Sequence, residues 1–304
     1  MAENDIGLVF PAFITDFRDD PSQCVPGFNK LFSEYLEKAS FITGKELLAY
    51  SLESDPMQLG ELSNQFASYI YSCTCTDLLL NSGVRPAMIA GYSMGIYAAL
   101  YTASAIRFET GLLFIERAYH SILNVLPQTR YGMCGVIGLS EKDIREIAAL
   151  HNLNLAIVNR NSDYSFVVAG SSFHINVFQL KAKEEGALHT RPMATAIPYH
   201  TGLLSEAAKE LSETVFSADV QSPVIPVISV LRQDRISDAA RVREEVVNNI
   251  FNPFNWFETQ LKMYQSGIHV FTECGPSQVL LKNSKFMQGS GKFVRWDSLI
   301  NKFL

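Results

Sequence analysis

Basic charge is in short supply in this sequence. Its 304 residues hold 25 Lys and Arg against 31 Asp and Glu, a formal net charge of −6, and the cations form no cluster or stripe. Proteins that grip nucleic acid neutralise phosphates with such a stripe, so no nucleic-acid partner is expected. Cysteine is sparse too: Cys24, Cys73, Cys75, Cys134 and Cys274 are scattered and odd in number. The close pair, Cys73 and Cys75, lacks the two intervening residues of zinc and redox motifs, so neither a thiolate metal centre nor a disulfide framework is expected. Idle thiols of a reducing compartment are the expected reading. No internal repeat, low-complexity tract or Pro/Gly/Ser linker breaks the chain. Its start, Met1-Ala2-Glu3-Asn4-Asp5, lacks the basic-then-apolar order of a signal peptide.

Charge is absent altogether from Pro86 to Ile106, 21 residues, which is long enough to span a bilayer. Gly91, Ser93, Gly95, Ser104 and three tyrosines interrupt that stretch, so a buried strand, a tight turn and a small-residue helix are expected there, and no membrane span. What the chain does have is apolar: 47% hydrophobic and 11% aromatic residues suffice for a packed core and exclude disorder. A soluble cytoplasmic protein is expected.

Ile6 to Phe10 reads as a short buried strand closed by Pro11. Apolar spacing predicts helices over 28–36 and 62–80, a strand over 88–92 and a helix over 96–101. Another helix begins at Thr110, with Leu113, Ile115 and Leu123 as its apolar positions. After Pro127 the rhythm changes. Strands are predicted over 133–139, 155–158, 166–169 and 187–192, with Asn159 to Asp163 as the turn between the middle two. Ser140-Glu-Lys-Asp opens one intervening helix with a polar cap and an acidic first turn, and 173–185 forms the other. That βαββαβ order is the split-βαβ, ferredoxin-like plan. From Pro198 the alternation resumes, with strands over 224–230 and 268–273 and helices over 255–265 and from Val279. An α/β protein is expected, its mainly parallel sheet flanked by helices in a hydrolase-like fold. Residues 1–127 and 195–304 would form the large subdomain, with a ferredoxin-like small subdomain, 128–194, inserted.

Chemistry concentrates in Gly91-Tyr92-Ser93-Met94-Gly95, a G-x-S-x-G between a predicted strand and a predicted helix. A sharp strand-to-helix turn leaves no room for Cβ atoms beside the serine, exposes its hydroxyl and sets it at a helix N-terminus, where developing negative charge is favoured. Ser93 is thus a candidate nucleophile, against the plainer reading of a glycine-rich turn. Such a serine needs a base. Of His120, His151, His174, His189, His200 and His269, His151 and His174 fall on polar helices and His269 in an apolar run. His200, in the loop Pro198-Tyr-His-Thr201 at the subdomain junction, is the first candidate and His120 the second.

These segments resemble the malonyl-CoA:acyl-carrier-protein transacylase family. Gly91-Tyr-Ser-Met-Gly-Ile-Tyr-Ala-Ala-Leu100 is similar to its GHSLGEYAAL, and Pro198-Tyr-His-Thr-Gly-Leu-Leu204 to its [FY]HSxLM. Pro223-Val-Ile-Pro-Val-Ile-Ser229 resembles PxxPVIS, Asn252-Pro-Phe-Asn-Trp256 resembles NPVRW, and Phe271-Thr-Glu-Cys-Gly-Pro-Ser277 resembles FxEVGPG. Val158-Asn-Arg-Asn-Ser162 and Phe166-Val-Val-Ala-Gly170 resemble VNxNSPxQVVIAG. The matches follow family order along nearly the whole chain. The resemblance implies that Ser93 is acylated, that His200 is its base and acid, and that a backbone carbonyl at Asn249 orients His200. Backbone N–H groups of Phe13 and Met94 would hold the oxyanion. Arg117 would pair with the malonyl carboxylate, although by itself it reads as a solvated helix charge beside Glu116. Gln65, Asn159, Asn161 and Ser121 would complete the substrate site.

Departures accompany the match. FPGQGSQ reads Phe10-Pro-Ala-Phe-Ile-Thr-Asp16 here, Tyr92 replaces a histidine, Ile96 a glutamate and Ser121 a methionine. A divergent member is implied, of a polyketide-type or otherwise specialised pathway. The implied activity moves an acyl group, malonyl first, from a coenzyme A thioester to an acyl carrier protein through a seryl ester. It needs no metal or redox cofactor, and no nucleotide-cradling glycine loop is present. A hydrolase of the same fold, and a catalytically weak acyl-binding partner of a synthase, remain alternatives.

Overall fold

The computed structural model describes residues 5–12, 22, 25–48, 60–127, 130–276, 278–280 and 291–303. Strands and helices alternate along most of it. The strands are β1 Ile6–Phe10, β2 Met88–Gly91, β3 Tyr131–Ile137, β4 Leu155–Ser162, β5 Ser165–Ser171 and β6 His189–Pro192. β7 Val227–Ile228, β8 Arg235–Ile236, β9 Phe254–Asn255, β10 Val270–Glu273 and β11 Lys292–Phe293 follow. The helices are α1 Phe28–Thr43, α2 Glu61–Asn81, α3 Gly95–Thr102, α4 Phe108–Val125 and α5 Glu141–Leu150. After them come α6 Ser172–Glu184, α7 Ser205–Ser217, α8 Ala239–Asn249, α9 Trp256–Gln265 and α10 Trp296–Phe303.

Two sheets organise these elements. The larger has the order β11-β10-β1-β2-β7-β8; its pairs are parallel except β7 with β8. β1 and β2 are wholly buried, as strands covered by helices on both faces must be, and their continuous apolar runs reflect it. The smaller sheet has the order β6-β3-β5-β4-β9. Its first four strands are antiparallel neighbours, which is the arrangement of a split βαβ unit. α5 starts where the sequence signals it, in a capping box: the Ser140 hydroxyl accepts from the Asp143 N–H, and the Asp143 carboxylate accepts from the Ser140 N–H.

Three expectations change, and one strand pairing was not foreseen. The turn placed at Asn159 to Asp163 is mostly strand, since β4 runs on to Ser162 and bulges twice against β5. Period-2 alternation is lost at such bulges, which hides the strand from pattern reading. On α4, Leu113 and Leu123 are exposed and only Ile115 of the expected trio is buried. The buried stripe runs through Phe108, Leu112, Ile115, Ala118 and Ile122, a spacing of three and four that fits one helix face. The strand expected over 224–230 shrinks to β7. Finally, β9 lies outside 128–194 yet pairs with β4, Asn159 opposite Phe254. α7, α8 and α10 were not anticipated. The charge-free stretch 86–106 folds as β2, a turn and α3, and among the described residues no helix is long and apolar enough to cross a membrane.

Phe178 is fully buried among Cys134, Val136, Val168 and Ile175 beneath the smaller sheet. Phe178→Ala is expected to cost about 3–5 kcal/mol through lost burial and the cavity left behind. Urea unfolding checks this; a loss below 1 kcal/mol would mean the side chain is not packed there (about a third of the low estimate).

Candidate active site

Ser93 sits in the turn between β2 and α3, with a positive φ of 54°. That is the left-handed region, which costs a side-chain-bearing residue about 1–3 kcal/mol and persists only where the surroundings impose it. The surroundings are backbone. A Cβ on Gly91 would overlap the main chain at Gly95 and Ile96, and one on Gly95 would overlap the Phe10 carbonyl of β1. Glycine is therefore a steric necessity at both places. The Asn249 amide, at the end of α8, donates to the Ser93 carbonyl at 2.8 Å and ties the turn down from the other side.

The turn presents the Ser93 hydroxyl to His200, Oγ to Nε2, at 2.7 Å. His200 is 4% exposed and also has a positive φ, 63°. Its backbone N–H donates to the Ile250 carbonyl at 2.9 Å. Burial holds its pKa down at about 4, partly offset by the backbone carbonyls of Asn249 and Asn252. Nδ1 is buried and turned toward those carbonyls, on the side where the Asn249 carbonyl is expected. A neutral imidazole with Nε2 against a hydroxyl is in the state of a base at neutral pH. His120, the second candidate, is exposed and pairs with Glu116.

Gln65, Met94, Tyr97, Ala118, Tyr119, Ile122, Tyr199, Asn249 and Ile250 line the cleft with Ser93 and His200, around about 390 Å³ of empty space, its mouth included. A larger cleft of about 930 Å³ lies elsewhere, around Tyr35, Asp77 and Tyr101, but it holds no serine–histidine pair. Gln65, as expected from the sequence, reaches the reactive cleft; its amide donates to the Tyr199 hydroxyl at 2.9 Å, which donates to Glu61 at 2.7 Å. Burial raises the Glu61 carboxyl above its ordinary value. Neither Glu61 nor Tyr199 was singled out in the sequence; a carboxylate four residues ahead of Gln65, one helical turn away, was the available signal.

The other expected substrate residues divide. Arg117 belongs to α4 and precedes Ala118; it forms no ion pair among the described residues, and its buried Nε has no partner. Ser121 is fully buried with an unpartnered hydroxyl. Asn159 and Asn161 do not line the cleft. The Asn159 amide donates to Asn161 at 2.8 Å and to the hydroxyl of Tyr92, whose pKa burial pushes up to about 12. Through Tyr92 they reach the turn that carries Ser93. Phe13 lies outside the described residues.

The family model for the acyl transferase domain matches residues 64–289. A malonyl CoA-acyl carrier protein transacylase from Bacillus subtilis is 26% identical over 260 residues, 84% of this chain and 81% of that protein. An acyl-carrier-protein S-malonyltransferase structure from Burkholderia pseudomallei superposes with a TM-score of 0.86 at 24% identity, covering 98% of both chains. A malonyl-transacylase in complex with a type II PKS acyl-carrier protein gives a TM-score of 0.88 at 23% identity over 99% of both chains.

Gly95→Ala is expected to lose about 1–3 kcal/mol by overpacking against β1. Gly202→Ala, where a Cβ would meet nothing within 4 Å, serves as its control. Equal denaturation midpoints for the two variants would show that β1 and the turn do not touch tightly.

Proposed function

The chain belongs to the acyl transferase domain family, and on that premise we propose that it transfers an acyl group, malonyl by preference, from coenzyme A to the phosphopantetheine thiol of an acyl carrier protein. The observation that carries this reading is the 2.7 Å contact between the Ser93 hydroxyl and a buried His200. In the proposed cycle, Nδ1 keeps its proton toward the carbonyls of Asn249 and Asn252, leaving Nε2 to take the Ser93 proton. Ser93 Oγ attacks the thioester carbonyl, and the negative charge that forms on its oxygen is met by the Met94 N–H. That group stands at the start of α3, where helix N–H groups lack intrahelical acceptors. Phe13 would supply the second donor. The carbon–sulfur bond breaks, His200 returns the proton to the departing thiolate, and the ester on Ser93 remains. The carrier-protein thiol then repeats the steps in the opposite direction. No metal or redox cofactor takes part.

Arg117 is the cation assigned to the malonyl carboxylate. Its unpartnered guanidinium edge, one residue from the cleft-lining Ala118, supports that assignment. A carboxylate taken out of water without a counter-charge is strongly disfavoured, and a planar two-donor group matches it best. Cys73, Cys75, Cys134 and Cys274 are buried, which supports work in the reducing cytoplasm.

Intact mass after mixing with malonyl-CoA tests the cycle. A malonyl adduct that disappears on adding holo carrier protein supports transfer; rapid loss without the carrier supports hydrolysis, and no adduct with any acyl-CoA supports a binding role. Ser93→Ala should abolish the adduct while the protein stays folded, and His200→Ala should slow acylation by about 10²–10⁴. Undiminished labelling of either variant would remove that residue from the cycle.

Arg117→Ala should reverse a preference for malonyl-CoA over acetyl-CoA, with Arg117→Lys recovering it only in part. The measurement is kcat/KM for both thioesters. An unchanged malonyl preference in Arg117→Ala would place the carboxylate elsewhere.

A further inference from the structure

His200 has a base's geometry without a carboxylate partner among the described residues. In many serine–histidine couples a carboxylate bonds the far nitrogen and fixes the plane of the ring. Here Nδ1 faces the backbone carbonyls of Asn249 and Asn252 in place of a carboxylate, and rotation about the last side-chain torsion of histidine is intrinsically broad. Packing on the imidazole adds to that hold. The ring packed against it belongs to Phe254, whose centroid lies 4.7 Å from that of the imidazole at an interplanar angle of 65°. This is an edge-to-face contact within the favourable range for aromatic pairs.

Phe254 is itself held from two directions. Its backbone, in β9, pairs with Asn159 of β4. Its ring meets Tyr92 edge-on at 5.0 Å and 88°, and Tyr92 in turn meets Trp256 at 5.3 Å and 75°. The Tyr92 hydroxyl accepts a hydrogen bond from the side chain of the same Asn159. Asn159 thus grips both the residue before the serine and the residue against the histidine. The nucleophile and its base are registered by one frame, supplied by the edge of the smaller sheet. Tyr92 and Phe254 both stand where the family motifs quoted above have other residues, His in GHSLG and Val in NPVRW.

We propose that Phe254 is a positioning residue for acyl transfer: packed on the His200 imidazole, its ring helps hold that imidazole in line with Ser93 and keeps water from it. The inference rests on the reading of His200 as the base. The groups that face His200 leave this role open. Ser93 and Tyr97 come from the turn and α3, Tyr119 from α4, Gln65 from α2, Tyr199 from its own loop, and the carbonyls of Asn249 and Asn252 from the end of α8 and beyond. All are uncharged. The nearest acid in this chain of contacts is Glu61, one hydrogen bond removed through Tyr199, and Arg117 is not among the cleft-lining residues. With no ion facing it among the described residues, the low pKa of about 4 follows chiefly from burial, and Phe254, 5% exposed, is part of what buries it.

The sign of the test follows. Taking the ring away hydrates the imidazole, favours its protonated form and moves its titration up toward the ordinary 6.5. The base is then lost at a higher pH as the solution is acidified. The experiment compares wild type, Phe254→Val and Phe254→Leu, with thermal unfolding to confirm that each variant is folded. An NMR titration of the His200 ring carbon, assigned with His200→Gln, is run beside the pH dependence of Ser93 acylation by malonyl-CoA. For Phe254→Val we expect a midpoint raised by about one unit or more and acylation slowed roughly 10- to 100-fold by the loosened ring. Phe254→Leu, which keeps apolar bulk without the flat edge, should show a smaller rise, and it carries the test if the valine variant does not fold.

A folded variant with the wild-type midpoint and the wild-type rate overturns the proposal. If wild type acylates normally and the midpoint stays put, the positioning role fails while the transferase reading stands. If no acyl-CoA labels wild type but the midpoint rises, the transferase reading fails while the hold of Phe254 on the imidazole stands.

Discussion

The backbone of β1 and the first turn of α3 touch where Gly95 meets the Phe10 carbonyl, and the reactive geometry depends on that approach. Because the two chains run so close, the turn after β2 has no freedom to relax, and Ser93 is held in a left-handed conformation. The strain is local and the support is distributed. β1 lies at the centre of the larger sheet, between β10 and β2, so displacing it would break two parallel ladders. Asn249 secures the other side of the turn through the Ser93 carbonyl. A strained serine is affordable only on such a rigid base.

The smaller sheet does more than decorate the larger one. β9 leaves the main body to become its fifth strand, and through that pairing Asn159 and Phe254 are brought beside the turn and the histidine. Two asparagines expected at the substrate site bond each other, and Asn159 also bonds Tyr92. This changes what substitutions at Tyr92 mean. The tyrosine is not an idle replacement in the motif, since its ring and its hydroxyl both join the frame behind Ser93.

Charge is distributed with similar economy. The cleft is lined by tyrosines, aliphatic side chains and amides, and its histidine, His200, is kept neutral by burial. Its acid, Glu61, is screened behind Tyr199, and burial biases it toward protonation. Beside such a cleft a guanidinium would carry unusual weight, because attraction between charges grows as water is removed. That is why an arginine at 117, ordinary on helix spacing alone, matters to the proposed specificity.

Much of this was legible in the sequence. Apolar runs bounded by glycine and proline marked β1, β2 and β10. The Ser140 cap marked α5, the βαββαβ order marked the smaller sheet, and the G-x-S-x-G marked Ser93. These are local signals, written in the residues that form each element. The contact between Ser93 and His200 spans 107 positions, and residue spacing alone left His120 in contention. Family motifs chose His200; the fold brought it to 2.7 Å. The exposed Leu113 and Leu123 show the limit of apolar identity, since only packing decides which face of α4 turns inward. The β4 bulges, the recruitment of β9 and the Phe254–His200 contact were beyond reach for the same reason. Each depends on where two distant segments meet, and a chain's local pattern specifies its elements but not the contacts between their faces.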